Sequence, residues 1–120
     1  MKTKSIWLVA TLVITLFTQC GLGKFTDNAD KQFGDQHFKT AISLIELYKV
    51  RYGVYPPSLD SIKYRGDWDA IAVSAVSYKK LDTGYELDLE RGWMSKPDSL
   101  NYPDDFWQGL GLVRSNIKRK

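Results

Sequence analysis

The sequence predicts an α+β fold in which a long N-terminal amphipathic helix packs on a small antiparallel sheet. Three observations carry this expectation. Between Asp30 and Tyr52, apolar residues recur at steps of three and four, the spacing of one helix face. Pro56-Pro57 then forbids the helix from continuing. Further on, Tyr85, Leu87 and Leu89 alternate with Glu86, Asp88 and Glu90, the period of a strand buried on one side.

The helix stripe consists of Phe38, Ala41, Ile42, Ile45, Tyr48 and Tyr52, widened by Leu44 and Leu47. Lys39, Ser43, Glu46, Lys49 and Arg51 are expected to face solvent, and Gly53 supplies a residue able to end the helix with a positive φ. After the prolines, Ser58 is placed to cap a short second helix reaching about Lys63. Arg65-Gly66-Asp67 reads as a break, and Trp68 to Ala70 has no clear assignment. Val73–Lys80 and Tyr85–Glu90 read as two strands joined by the turn residues Asp82-Thr83-Gly84, with Lys79 and Lys80 opposite the acidic face of the second strand. Beyond Gly92 the chain becomes aromatic and irregular, with a short helical turn expected within Ser99–Gln108 and a frayed basic end at Arg114, Lys118, Arg119 and Lys120.

Ahead of this domain lies a different kind of segment. Lys2 and Lys4 precede Ile6–Phe17, a run without charge, and Thr18-Gln19 leads into Cys20, the only cysteine. This is the n-, h- and c-region order of a secretory signal. A helix of Ile6–Phe17 would span roughly 18 Å against a hydrocarbon core of ~30 Å, short for a membrane span. The residues leave three outcomes open: acylation at Cys20, cleavage after Gly21-Leu22-Gly23, or an uncleaved anchor. The division that follows is a signal over 1–19, a tether over 20–29 and a single globular domain over 30–120.

Removal of Lys2 and Lys4 takes the 17 basic side chains to 15, against 14 acidic ones. So even a balance makes no case for nucleic acid as a partner. The domain also contains no cysteine after Cys20, which excludes disulfides and thiolate metal sites.

Cys20, following Phe17-Thr18-Gln19 and preceding Gly21, resembles the lipobox of bacterial lipoproteins, with Gln19 standing where that pattern has a small residue. The resemblance implies an exported protein held in the cell envelope by a lipid on Cys20, with the outer membrane favoured over the inner because no Asp follows the cysteine. A second resemblance covers roughly Lys39–Glu90. Leu47-Tyr48-Lys49-Val50-Arg51-Tyr52-Gly53, then Tyr55-Pro56-Pro57-Ser58-Leu59, then Gly84-Tyr85-Glu86-Leu87, is similar to the globular part of type II secretion pseudopilins and related type IV pilin-like proteins. That implies a pilin-like fold. It does not imply filament assembly, because Lys49 and Arg51 stand where such a filament needs an apolar helix.

No catalytic constellation stands out. His37 is the only histidine, so neither a His cluster for a metal nor a His-based nucleophilic relay can be built. The carboxylate groups Asp67/Asp69, Glu86/Asp88/Glu90 and Asp104/Asp105 read as solvated surface, and no phosphate-cradling glycine loop or nucleophile elbow is present. The most plausible binding residues are Tyr102, Phe106 and Trp107, which join large apolar groups to acidic and amide side chains in a loop. The expectation is therefore a small non-enzymatic envelope lipoprotein, without cofactor or metal, that binds an envelope protein or a cell-wall component. Two alternatives stand beside it: an exported carbohydrate-active enzyme using acidic residues near Trp93 or Trp107, and an accessory protein of a secretion or pilus apparatus.

Overall fold

The structure, a computed structural model, describes residues 29, 31–92 and 96–120. The signal segment, Cys20, the tether up to residue 28 and Trp93 lie outside the described residues. What is described is an α+β arrangement of three α-helices with a small mixed sheet.

Residues 31–52 are helical and form α1. Phe38, Ala41, Ile42, Leu44 and Ile45 are buried along it. On its outer side Lys39 pairs with Asp35 one turn earlier, a contact worth only a few tenths of a kcal/mol. At the end of the helix Gly53 adopts φ +78° and its N–H donates to the Lys49 carbonyl at 2.8 Å. Pro56 is fully buried, and its carbonyl accepts the Tyr78 hydroxyl at 2.6 Å. The capped second helix expected after Ser58 is only a 3-10 turn, Leu59–Ser61, and the Ser58 side chain makes no capping bond.

Helix α2 runs over Asp67–Ser74, where the sequence had no assignment for its first residues and a strand for its last. Its start is held by Asp69, whose Oδ2 accepts the Gly66 N–H at 2.8 Å, and Asp67 and Asp69 both favour the positive end of the helix dipole. Only Ala72 of this helix is buried. Strand β1 consequently begins at Val76, not Val73.

Strands β1 (Val76–Leu81) and β2 (Gly84–Leu89) form the expected antiparallel hairpin, with Leu81 opposite Gly84 across the turn and Lys79 opposite Glu86. Short β3 (Asn101–Tyr102), helix α3 (Asp104–Trp107), β4 (Leu112–Arg114) and β5 (Lys118–Arg119) follow. The expectation of a purely antiparallel sheet is corrected here. β4 lies on the other side of β2 and pairs with it in parallel, giving the order β1-β2-β4, and β3 and β5 form a second, parallel pair. The reason is covering. With β4 beside it, β2 becomes the central strand, and Tyr85, Leu87 and Leu89 are almost wholly buried.

The C-terminal end also departs from the expectation of fraying. Asn116 closes two hydrogen bonds with the Leu89 backbone, accepting its N–H at 2.9 Å and donating to its carbonyl at 2.9 Å. Its own N–H donates to Asp88 Oδ1 at 2.9 Å, Ile117 is buried, and the Lys120 N–H donates to the Tyr102 carbonyl.

Candidate functional site: an aromatic groove between α1 and α2

Phe33, Gln36, His37 and Thr40 occupy positions i, i+3, i+4 and i+7 of α1 and so share one face. Opposite them stand Trp68 and Asp69 from the first turn of α2, and the six side chains line a groove of about 290 Å³. Trp68 is 80% exposed, with Ile71 of the next turn also exposed. A helix that buries only Ala72 has no inward face for so large a ring. Its break after Gly66 sets Trp68 in the opening turn, where the ring projects beside the long helix.

His37 lies against Phe33 with ring centroids 6.2 Å apart and planes 24° from parallel. Desolvation by burial holds the imidazole below the ordinary histidine value, so at neutral pH the ring is uncharged. Gln36 donates to the Thr40 hydroxyl at 3.3 Å, and Asp69 uses Oδ2 on the Gly66 N–H. The groove thus offers three rings, an amide, a hydroxyl and a carboxylate, with no lysine or arginine in its lining.

The residues singled out from the sequence are placed elsewhere. Tyr102 and Trp107 are only 7% and 6% exposed and form part of the core, with Phe106 half-buried against Tyr102 at 4.2 Å between centroids. The Tyr102 hydroxyl donates to Asp35 Oδ1 at 2.6 Å, the Trp107 indole N–H to the Tyr102 carbonyl, and the Arg119 guanidinium lies 4.8 Å over the Trp107 ring. These rings thus pack largely into the core, with Tyr102 also lining an open pocket of about 430 Å³ beside Asp35 and Leu100. Asp104 and Asp105 are exposed in the first turn of α3.

The structure brings together one constellation that the periodicity of α1 conceals. Glu46, expected to face solvent, is half-buried. It accepts the Tyr85 hydroxyl at 2.9 Å, the Tyr55 hydroxyl at 3.0 Å and the Gly111 N–H at 2.9 Å. Burial first, then the Glu46 hydrogen bond and charge, pushes Tyr55 up to about 12. Tyr85 goes well above its ordinary value, by burial first and then the Glu46 charge. The three donors come from separate segments, nine, 39 and 65 residues along the chain, so Glu46 acts as a tie between α1, the proline segment, the hairpin and the loop before β4.

Among the described residues no group of three or more His, Cys, Asp or Glu side chains is placed to hold a metal ion. Among the same residues no helix is long and apolar enough to cross a membrane. What fold and groove define is an α+β domain with a small, open groove lined by aromatic and hydrogen-bonding side chains. Comparison of the chain with protein-family models, with curated proteins and with solved structures gives no match in any of the three.

The sequence around Trp68 carries a signal of its exposure. A large aromatic flanked by Asp67 and Asp69 directly after Gly66 has charged neighbours on both sides, a poor setting for burial.

Proposed function

We propose that this chain is a small non-enzymatic lipoprotein of the cell envelope that binds an envelope protein or a cell-wall component at the membrane surface. The single observation that carries the binding role is Trp68, 80% exposed and facing Phe33 and His37 across the α1–α2 groove. Exposing so large an apolar ring is unfavourable in isolation, and aromatic residues are among those that dominate recognition surfaces. The tether rests on the sequence: two lysines, an uncharged run and Cys20 in the order of a lipoprotein signal. A pilin-like fold is the finer reading. The succession of a long helix, a Tyr-Pro-Pro break and a hairpin supports it, while the parallel β2–β4 pairing departs from the antiparallel sheet expected with it.

Two measurements test the two halves separately. The intact mass of membrane-extracted protein is expected to begin at Cys20 and to include lipid, with the lipid lost in Cys20→Ala; an unlipidated mass removes the tether. For binding, purified protein is expected to sediment with isolated cell envelopes, and Trp68→Ala to abolish that retention. Equal retention of the variant would remove the groove from the function.

A further inference from the structure

We infer that the α1–α2 groove is a saccharide subsite, built to take an uncharged pyranose unit of a glycan chain. The inference rests on the groove being the recognition face proposed above, and it names the chemical class of the ligand.

Three features of the lining select that class. First, the lining carries no lysine or arginine, and its only carboxylate, Asp69, already spends one oxygen on the Gly66 N–H. Phosphate and nucleic acid need cationic partners, so the lining disfavours an anionic ligand. Second, the lining pairs three rings with three hydrogen-bonding side chains, over a mostly apolar surface. Phe33, His37 and Trp68 offer ring faces, while Gln36, Thr40 and Asp69 offer planar or hydroxyl hydrogen-bonding groups. A protein hot spot instead has a dry, apolar centre with polarity confined to its rim. A pyranose matches the observed mixture: its C–H face lies on an aromatic ring, and the hydroxyls around its edge both donate and accept. Third, about 290 Å³ lies at the lower limit of small-molecule pockets, enough for a ring unit whose neighbours run out along the open groove.

In this arrangement Trp68 supplies the stacking face. The exposed Gln36 amide, whose NH₂ already touches Thr40, presents its oxygen to a sugar hydroxyl, and the second Asp69 oxygen accepts another. His37, uncharged at neutral pH, adds a ring nitrogen of either polarity.

The test uses the ¹⁵N-labelled full chain in a detergent without a sugar headgroup, titrated with chitotetraose and with cellotetraose. Each is taken to about 10 mM, where a millimolar site is filled. The Trp68 indole N–H, assigned with a Trp68→Phe variant, is expected to shift and saturate with at least one of them, while that of buried Trp107 stays in place. Trp68→Ala is expected to weaken the affinity at least about tenfold, and Trp68→Phe to retain most of it. Because Trp68 is exposed, both variants are expected to keep the wild-type fold, which their amide spectra check. Absence of saturable movement at Trp68 with both oligosaccharides overturns the inference. If envelope retention is nevertheless lost in Trp68→Ala and destroyed by protease treatment of the envelopes, the occupant is a protein. In that case the recognition face stands and its saccharide ligand does not.

Discussion

Glu46 shows how a single side chain can be misplaced by pattern and recovered by geometry. Its position belongs to the outward set of α1, yet three donors converge on its carboxylate, and one of them belongs to Tyr85, a residue with 0% exposure. Removing the acceptor would leave the Tyr85 hydroxyl and the Gly111 N–H without a partner in a place water reaches poorly. Glu46→Ala is therefore expected to destabilise by about 2–4 kcal/mol, and Glu46→Gln, which keeps an acceptor oxygen, by about half of that. The check is the urea midpoint at unchanged denaturant slope. Trp68 is the opposite case. Its ring makes so little contact that Trp68→Ala is expected to move stability by no more than about 0.5 kcal/mol. A binding loss in that variant could then not be attributed to unfolding.

At the scale of elements, the hairpin and the loop before β4 are joined at van der Waals distance. Gly84 opens β2 at φ +143°, and a Cβ built there would lie 2.2 Å from the Gly111 carbonyl oxygen. Gly111 in turn lies so close to the Tyr55 ring that a Cβ would approach its hydroxyl oxygen to 2.1 Å. Neither neighbour can retreat freely, because the Tyr85 N–H donates to the Gly111 carbonyl and Tyr55 is tied to Glu46. Gly84→Ala is thus expected to cost about 3 kcal/mol or more, combining backbone strain with overpacking. Gly53→Ala supplies the contrast: φ is also positive, but nothing lies within 4 Å of the added carbon. There only the conformational term of about 1 kcal/mol is expected, and thermal denaturation of the two variants compares them. The Asp82-Thr83-Gly84 turn was legible in the sequence because turn chemistry is local, whereas the approach of Gly111 to Gly84 spans 27 residues and leaves no local signature.

The whole molecule carries a pH dependence through its tyrosines. Tyr55 and Tyr78 are pushed up to about 12, Tyr78 by burial first and then by the charges of Tyr55 and Glu46. Tyr85 and Tyr102 are raised further, Tyr102 by burial and then its hydrogen bond to Asp35. An unfolded tyrosine loses its proton near 10. Between about pH 10 and pH 12 the unfolded chain therefore binds fewer protons than the native one, and stability falls as pH rises. Below pH 10 the contribution is present in full. The chain is expected to unfold at alkaline pH, with the late tyrosinate absorbance of these residues appearing together with loss of the native circular dichroism. Separate titration of these four tyrosines in a folded chain would contradict the arrangement.

By itself the sequence determined what short-range rules can determine. It defined the apolar stripe carrying Phe38, Ala41, Ile42 and Ile45, the stop at Gly53 and Pro56-Pro57, an antiparallel hairpin read over Val73–Lys80 and Tyr85–Glu90, and the even charge balance of the domain. Each depends on residues within a few turns or one reversal of each other. Tertiary structure decided which polar side chains turn inward and which aromatic ones turn out. It drew Glu46 under the tyrosines, enclosed Tyr102 and Trp107, pinned the C-terminal end through Asn116 and left Trp68 in the open. Those outcomes depend in part on groups supplied from far along the chain, as the 27 residues between Leu89 and Asn116 illustrate. A side chain is buried only where such distant groups close over it.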